Sequence, residues 1–296
     1  MKKEPIFTGS CTAIVTPFRD GKADFKKMAQ LIDLQVEGGT SAVVVCGTTG
    51  ENATQALPEH TELVDFCVKH TAGRMKVIAG VGSNDTMTAV YLTEHAVKSG
   101  VDGILMVTPY YNKTSQQGLI KHFTYVADRF DVPMILYNVP GRTSIGIQPE
   151  TYLELSKHPN INGVKEASGD MSLFIKTRAL CGDALNVWSG NDDQTVPMMA
   201  MGAKGIISVV SNILPEMMAK MCKLCLDGDF AAASQLQLQY TDLMAKLFIE
   251  VNPIPIKTAM NLLGYEVGEF RLPLCEMAPA NLEKLKASMR AVGLKV

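Results

Sequence analysis

Eight short runs rich in β-branched and apolar residues recur along the chain, separated by stretches of helical period. They are CTAIVT from Cys11, SAVVVC from Ser41, KVIAGV from Lys76, GILMV from Gly103, PMILYN from Pro133, INGVKE from Ile161, NVWSG from Asn186 and GIISVV from Gly205. Strands that alternate with helices build a parallel sheet, because neighbouring parallel strands need a long crossover between them. Eight such units close naturally into an α/β fold of the (β/α)8 (TIM) barrel type. Closure removes both sheet edges, and right-handed crossovers put the helices outside. The rival, an open doubly wound sheet, is expected to carry a G-x-G-x-x-G turn after its first strand, and the segment there is TPFRDGKAD.

Helix ends are legible at several places. Asp24 suits an N-cap ahead of Phe25, Met28, Leu31, Ile32 and Gln35, and Gly38-Gly39 suits the stop. Pro58 suits a first helical position, with Gly73 ending that run; Ser115 and Pro149 open two more. Beyond Leu214 no convincing strand remains, and Pro215–Leu226, 229–251, 256–263 and 280–292 all have helical character. The expected organisation is a barrel over residues 1–226 and a C-terminal helical extension over 227–296, joined through Asp227 and Gly228.

Composition narrows the function by exclusion. With 47% hydrophobic and 20% charged residues and a formal charge of -2, the chain has ample core and no general affinity for nucleic acid or anionic membrane. No run approaches the roughly 20 apolar residues of a membrane span, and the start is broken by Glu4, Pro5 and Gly9 before any long apolar stretch. The seven cysteines are scattered and odd in number, which predicts reduced thiols and a cytoplasmic setting. Cys222-x-x-Cys225 lies in a helical pattern without a second pair, and His60, His70, His95, His122 and His158 are dispersed. No metal and no cofactor is therefore expected.

A barrel of this type builds its site from the C-terminal ends of the strands. Those ends carry Gly47-Thr48-Thr49-Gly50-Glu51, Thr108-Pro109-Tyr110-Tyr111-Asn112, Tyr137-Asn138-Val139-Pro140-Gly141-Arg142-Thr143, Lys165-Glu166-Ala167-Ser168-Gly169 and Ser189-Gly190-Asn191-Asp192-Asp193. Alternation puts Ile161, Gly163 and Lys165 on one face, with Gly163 leaving space beside the lysine. If that face lines the barrel, Lys165 is desolvated and its neutral amine is a nucleophile toward a carbonyl. The commoner reading of a lone strand-end lysine is a solvated one. Tyr137 is either buried core or a proton shuttle beside the lysine. Thr48 and Thr49 suit a small carboxylate or simply a tight turn, and Arg142 either grips a carboxylate or is a solvated turn residue.

The motifs GTTGE, TPYYNK, YNVPGRT, KEASGD and SGNDD, with FTGSCTAIVTPF before them and NPIPIK and RLPL after, occur in an order that resembles the dihydrodipicolinate synthases of the class I aldolase family that also holds the N-acetylneuraminate lyases. The resemblance covers essentially the whole chain and implies condensation of pyruvate with L-aspartate 4-semialdehyde. It implies that Lys165 forms the imine and that Tyr137, Thr48 and Tyr111 relay protons, Tyr111 from a neighbouring subunit of a homotetramer. It further implies that Thr49 and the GTTGE backbone hold the pyruvate carboxylate with a contact from Ile207, that Gly190 lines the substrate site, and that Arg142 meets the second carboxylate. N-acetylneuraminate lyases typically carry a serine where Thr48 stands, and 2-keto-3-deoxy sugar acid aldolases are the next reading. A metabolite-binding barrel without catalysis is the alternative of another class. Lysine-inhibited relatives bind the effector through positions corresponding to Asn52, Ala53, Leu57, His60, Asn84, Thr88 and Tyr110. Here Leu57 replaces a histidine and Thr88 a glutamate, which predicts weak or absent lysine inhibition.

Overall fold

The computed structural model describes residues 2–296. All eight expected strands form: β1 Gly9–Ala13, β2 Ala42–Val45, β3 Lys76–Gly80, β4 Gly103–Val107, β5 Met134–Asn138, β6 Ile161–Glu166, β7 Asn186–Ser189 and β8 Gly205–Ser208. Each pairs in parallel with its neighbour in sequence, and β8 closes on β1 with Cys11 opposite Ile207. The intervening helices are α1 Phe25–Glu37, α2 Leu57–Thr71, α3 Thr86–Ser99, α4 Gln116–Ala127, α5 Pro149–Ser156, α6 Met171–Cys181, α7 Thr195–Ala200 and α8 Pro215–Leu226. The fold is a (β/α)8 barrel.

Two cores result from the strict in–out alternation of strand residues. Residues that face outward, such as Val43, Val77, Met106 and Val164, meet the apolar stripes of the helices. Those that face inward, including Cys11, Val44, Ile78, Leu105, Ile135 and Trp188, fill the barrel. Phe7 stacks on Trp188 with ring centroids 4.9 Å apart and its carbonyl accepts the indole N–H at 3.2 Å, so the barrel interior is packed rather than open.

One expectation about β6 fails. Between β5 and β6 the register steps from Met134 opposite Ile161 to Ile135 opposite Gly163, so β6 uses two residues where β5 uses one. This bulge turns Ile161 into the outer core, while Gly163 and Lys165 stay on the inner face. The room at Gly163 also serves another purpose than expected: a Cβ there would lie 2.6 Å from the Trp188 ring and 2.4 Å from the Asn186 carbonyl oxygen, so the glycine admits the tryptophan.

Helix α1 shows why its sequence reads as a helix. Asp24 accepts from Lys27 N at 2.9 Å, a cap contributing about 1 kcal/mol, and Met28, Leu31, Ile32 and Gln35 form the buried face. Gln35 is tolerated there because it donates to Ser211 O and accepts from Thr12 and Thr40 hydroxyls. Helix α2 begins one residue before Pro58, and Ser115 caps α4 through Gly118 N at 3.2 Å.

After Leu226 the chain adds α9 Phe230–Lys246, α10 Ile254–Leu262 and α11 Pro279–Ala291. Helix α9 stops short of the expected 229–251, since residues beyond it turn back toward the barrel mouth, and α10 starts earlier than expected because Pro253 and Pro255 fall at its N-terminus, where a missing N–H costs nothing. A two-stranded hairpin, Phe18–Arg19 with Lys22–Ala23, and a short helix Pro140–Thr143 were not evident from the periodicity. Among the described residues no helix is long and apolar enough to cross a membrane.

Candidate active site

The barrel's C-terminal mouth is organised around Lys165, 5% exposed. It ends the inner face of β6 directly opposite Tyr137 of β5, and its Nζ lies 4.5 Å from the centre of the Tyr137 ring. Two buried groups lie close to it. Burial pushes the Cys11 thiol well above the ordinary range, with Lys165 pulling it back. Burial likewise raises the Asp192 carboxyl, opposed by hydrogen bonds from Ser208 Oγ at 2.5 Å and the Val209 and Val210 amides, and then by Lys165. Lys165 stands in no ion pair among the described residues.

Behind the lysine, alternation sends Glu166 outward into a closed polar network. Its carboxylate accepts from Asn138 Nδ2 on both oxygens at 3.0 Å, from Tyr152 Oη at 2.9 Å and from Ser168 N at 2.8 Å. Asn138 in turn accepts from Ile147 N at 3.1 Å. The ends of β5 and β6, which carry Tyr137 and Lys165, are thereby tied together through their outward-facing neighbours.

The loop after β2 is held from several sides. Cys46 and Glu51, at its two ends, both have positive φ, and Gly50 N and Glu51 N close tight turns on Gly47 O and Thr48 O. Thr16 Oγ1 and Gln55 Nε2 donate to Gly50 O. Glu51 is fully buried and paired with Lys257 of α10 at 2.6 Å; the same ammonium donates to Glu269 O at 2.6 Å. Thr49 is buried and accepts from Asn252 Nδ2 at 2.9 Å. Thr48 lines a narrow cavity with Gly47, Gly80, Leu105, Val107 and Tyr137.

Of the residues singled out in the sequence, Lys165, Tyr137, Thr48, Thr49 and Ile207 lie at or beneath this mouth. Ile207 is wholly buried in the inner core beside Cys11. Gly190 N donates to Glu166 O at 2.7 Å, and a Cβ at this glycine would sit 2.5 Å from Ala167 Cβ, so only glycine fits. Arg142 is exposed and donates to Asn252 O at 3.0 Å. Tyr111 is not gathered with the others in a single chain: it is 95% exposed, on a left-handed backbone at φ 66°. The reading from sequence gave no role to Asn252, Lys257 or Glu51, although NPIPIK and GTTGE were recognised as motifs. The signal was a lysine among apolar residues of a helix, which needs a buried anion. Among the described residues no group of three or more His, Cys, Asp or Glu is placed to hold a metal ion.

Fold and candidate site together define a class: a (β/α)8 barrel with a buried lysine facing a tyrosine at its C-terminal mouth. Similarity is more specific. The model of the dihydrodipicolinate synthetase family matches residues 6–292. The chain is 49% identical over 291 residues to 4-hydroxy-tetrahydrodipicolinate synthase of Thermoanaerobacter sp. strain X514, covering 98% of each. It is 48% identical over 284 residues to the enzyme of that name from Clostridium novyi, covering 96% of each. The crystal structure of dihydrodipicolinate synthase from Aquifex aeolicus superposes with a TM-score of 0.95 at 45% identity, over 97% of this chain and 99% of that one. The chain belongs to the dihydrodipicolinate synthetase family.

Proposed function

We propose that the chain condenses pyruvate with L-aspartate 4-semialdehyde to 4-hydroxy-tetrahydrodipicolinate, the committed step toward diaminopimelate and lysine. The observation that carries this reading is the buried Lys165 amine against the Tyr137 ring, in a chain of this family. The amine attacks the keto carbon of pyruvate, and water leaves as the imine forms. Loss of a methyl proton gives an enamine whose carbon attacks the aldehyde, generating a hydroxyl. The substrate's own amino group then adds to the imine carbon, closes the ring and expels Lys165 as the free amine. The imine is the electron sink, so the sequence as written draws on no metal or organic cofactor.

In this reading Tyr137 supplies and collects the protons, relayed through Thr48 and through Tyr111 of a neighbouring subunit. The exposure of Tyr111 supports such an intersubunit role, and a homotetramer built from dimers is the proposed assembly. Thr49 and the loop amides hold the pyruvate carboxylate, Ile207 contributes its backbone, Gly190 lines the site and Arg142 meets the carboxylate of the second substrate. The setting is cytoplasmic. The boundary at 226/227 is proposed as structural only, because residues after it touch both Thr49 and Arg142.

Borohydride reduction in the presence of pyruvate tests the reading. A stable mass gain of one reduced pyruvate is expected, and it disappears in Lys165→Ala. An adduct that survives this substitution overturns the assignment. Comparison of L-aspartate 4-semialdehyde with N-acetylmannosamine as pyruvate acceptor then tests the choice of aldehyde.

A further inference from the structure

The segment after α9 returns to the barrel mouth and places there a side chain that no motif had assigned. Asn252 is 6% exposed. Its Nδ2 donates to Thr49 Oγ1 at 2.9 Å, its main-chain carbonyl accepts from Arg142 Nη2 at 3.0 Å, and its Oδ1 is buried without a partner among the described residues. A threonine hydroxyl has one proton to donate and two lone pairs to accept with. An amide N–H on one lone pair leaves the proton free for another acceptor and polarises the O–H bond toward it. A carboxylate is the strongest acceptor a small keto acid offers. The reverse polarity, with Thr49 donating to residue 252, leaves the hydroxyl only lone pairs to present, and these repel an anion.

We propose that Asn252 is a positioning residue for the condensation. Its side chain commits the Thr49 hydroxyl to donate to the pyruvate carboxylate, and its main-chain carbonyl holds Arg142 for the carboxylate of the second substrate. The proposal rests on the reading of Thr49 and Arg142 given above. One residue serves both substrates, but through parts that mutagenesis separates: a side-chain change leaves the carbonyl in place.

Asn252→Leu removes the amide while keeping most of its volume. The expected result is a rise of about tenfold in the pyruvate KM, with kcat and the KM for L-aspartate 4-semialdehyde changing by less than about twofold. Asn252→Asp replaces the donor by an acceptor, so the pyruvate KM rises at least as far. In a Thr49→Val background, Asn252→Leu adds less than about twofold. Circular dichroism and thermal melting establish that each variant folds, and Asn252→Ala replaces Asn252→Leu in the same comparison if the latter does not. The proposal is overturned if the pyruvate KM is unchanged, if both KM values rise together as a loosened mouth requires, or if the effect persists in full without the Thr49 hydroxyl. A Thr49→Val enzyme with an unaltered pyruvate KM defeats the underlying reading of Thr49 and this proposal with it. A silent Asn252 beside a responsive Thr49 defeats this proposal alone.

Discussion

The barrel mouth and the C-terminal helices each bury a lysine over an aromatic ring, and they hold it in different ways. Lys257 is 0% exposed, with Nζ 4.7 Å from the centre of the Phe18 ring, 2.6 Å from the Glu51 carboxylate and 2.6 Å from the Glu269 carbonyl oxygen. Burial lowers its hold on the proton, and Glu51 restores part of it. Lys165 is almost as buried and lies over Tyr137, but among the described residues no carboxylate pairs with it. Burial alone does not distinguish the two amines: the Lys257 ammonium is engaged by a carboxylate in contact, whereas the Lys165 amine is left without one and is open to an incoming carbonyl.

Replacing the two lysines in turn puts this difference to its hardest test. Lys165→Ala should lower turnover by at least about 1,000-fold without loss of fold, whereas Lys257→Met should still form the pyruvate adduct under borohydride. A Lys257→Met protein that folds but traps no pyruvate breaks the contrast. Next in size is the clamp itself. Glu51→Gln leaves a buried ammonium without its anion and should cost about 3–5 kcal/mol in denaturant unfolding, much of it recovered when Lys257→Met is added. Unchanged stability in the single variant would show that the pair carries no weight.

His122 offers a third case, a buried base without a contacting anion. Burial lowers its pKa from 6.5 to about 4, with Asp85 opposing; Nδ1 meets the Thr86 hydroxyl at 2.9 Å and Nε2 has no partner among the described residues. The unfolded chain therefore protonates first as pH falls. The fold keeps its full stability from this group above about pH 6.5 and loses roughly 3 kcal/mol between there and pH 4. Denaturation curves across that window should be flatter in His122→Leu, and an equal slope would remove His122 from the account. At the Lys165 side alone, Tyr111→Phe should reduce turnover by about 100-fold with folding unchanged; full activity removes Tyr111 from the relay. Smallest is the response to free lysine. With Leu57 and Thr88 where lysine-inhibited relatives carry a histidine and a glutamate, and the Thr88 hydroxyl already donating to Asp85 at 2.6 Å, millimolar lysine should leave the initial rate nearly unaltered. A micromolar inhibition constant would contradict this.

The strands and the first helices were legible because their signals are local: β-branched runs, Asp24 and Ser115 as caps, prolines at helix starts. The face of Ile161 was not, since the bulge before Gly163 arises from how β6 registers on β5 and leaves no mark in β6 alone. Lys165 and Tyr137 could be placed at strand ends, but that they face each other depends on that same register. Asn252 and Lys257 were missed for a different reason. Their partners Thr49 and Glu51 lie 203 and 206 residues away, and nothing in a helix of mixed apolar residues says which loop its one lysine will meet. Local chemistry announces an element; only closure of the chain decides its partner.

The clamp on the loop after β2 limits how this enzyme can be remodelled. Gly47-Thr48-Thr49-Gly50-Glu51 looks like a self-contained cassette, five residues that a designer would exchange to change the keto acid. Their conformation is nevertheless underwritten from some 200 residues further along the chain by Asn252, Lys257 and Arg271, whose backbone N–H also reaches Glu51 at 3.3 Å. A graft of this turn into another barrel, or of another turn into this one, has to carry the matching 252–271 stretch with it, and recombination between relatives is best cut where both halves travel together.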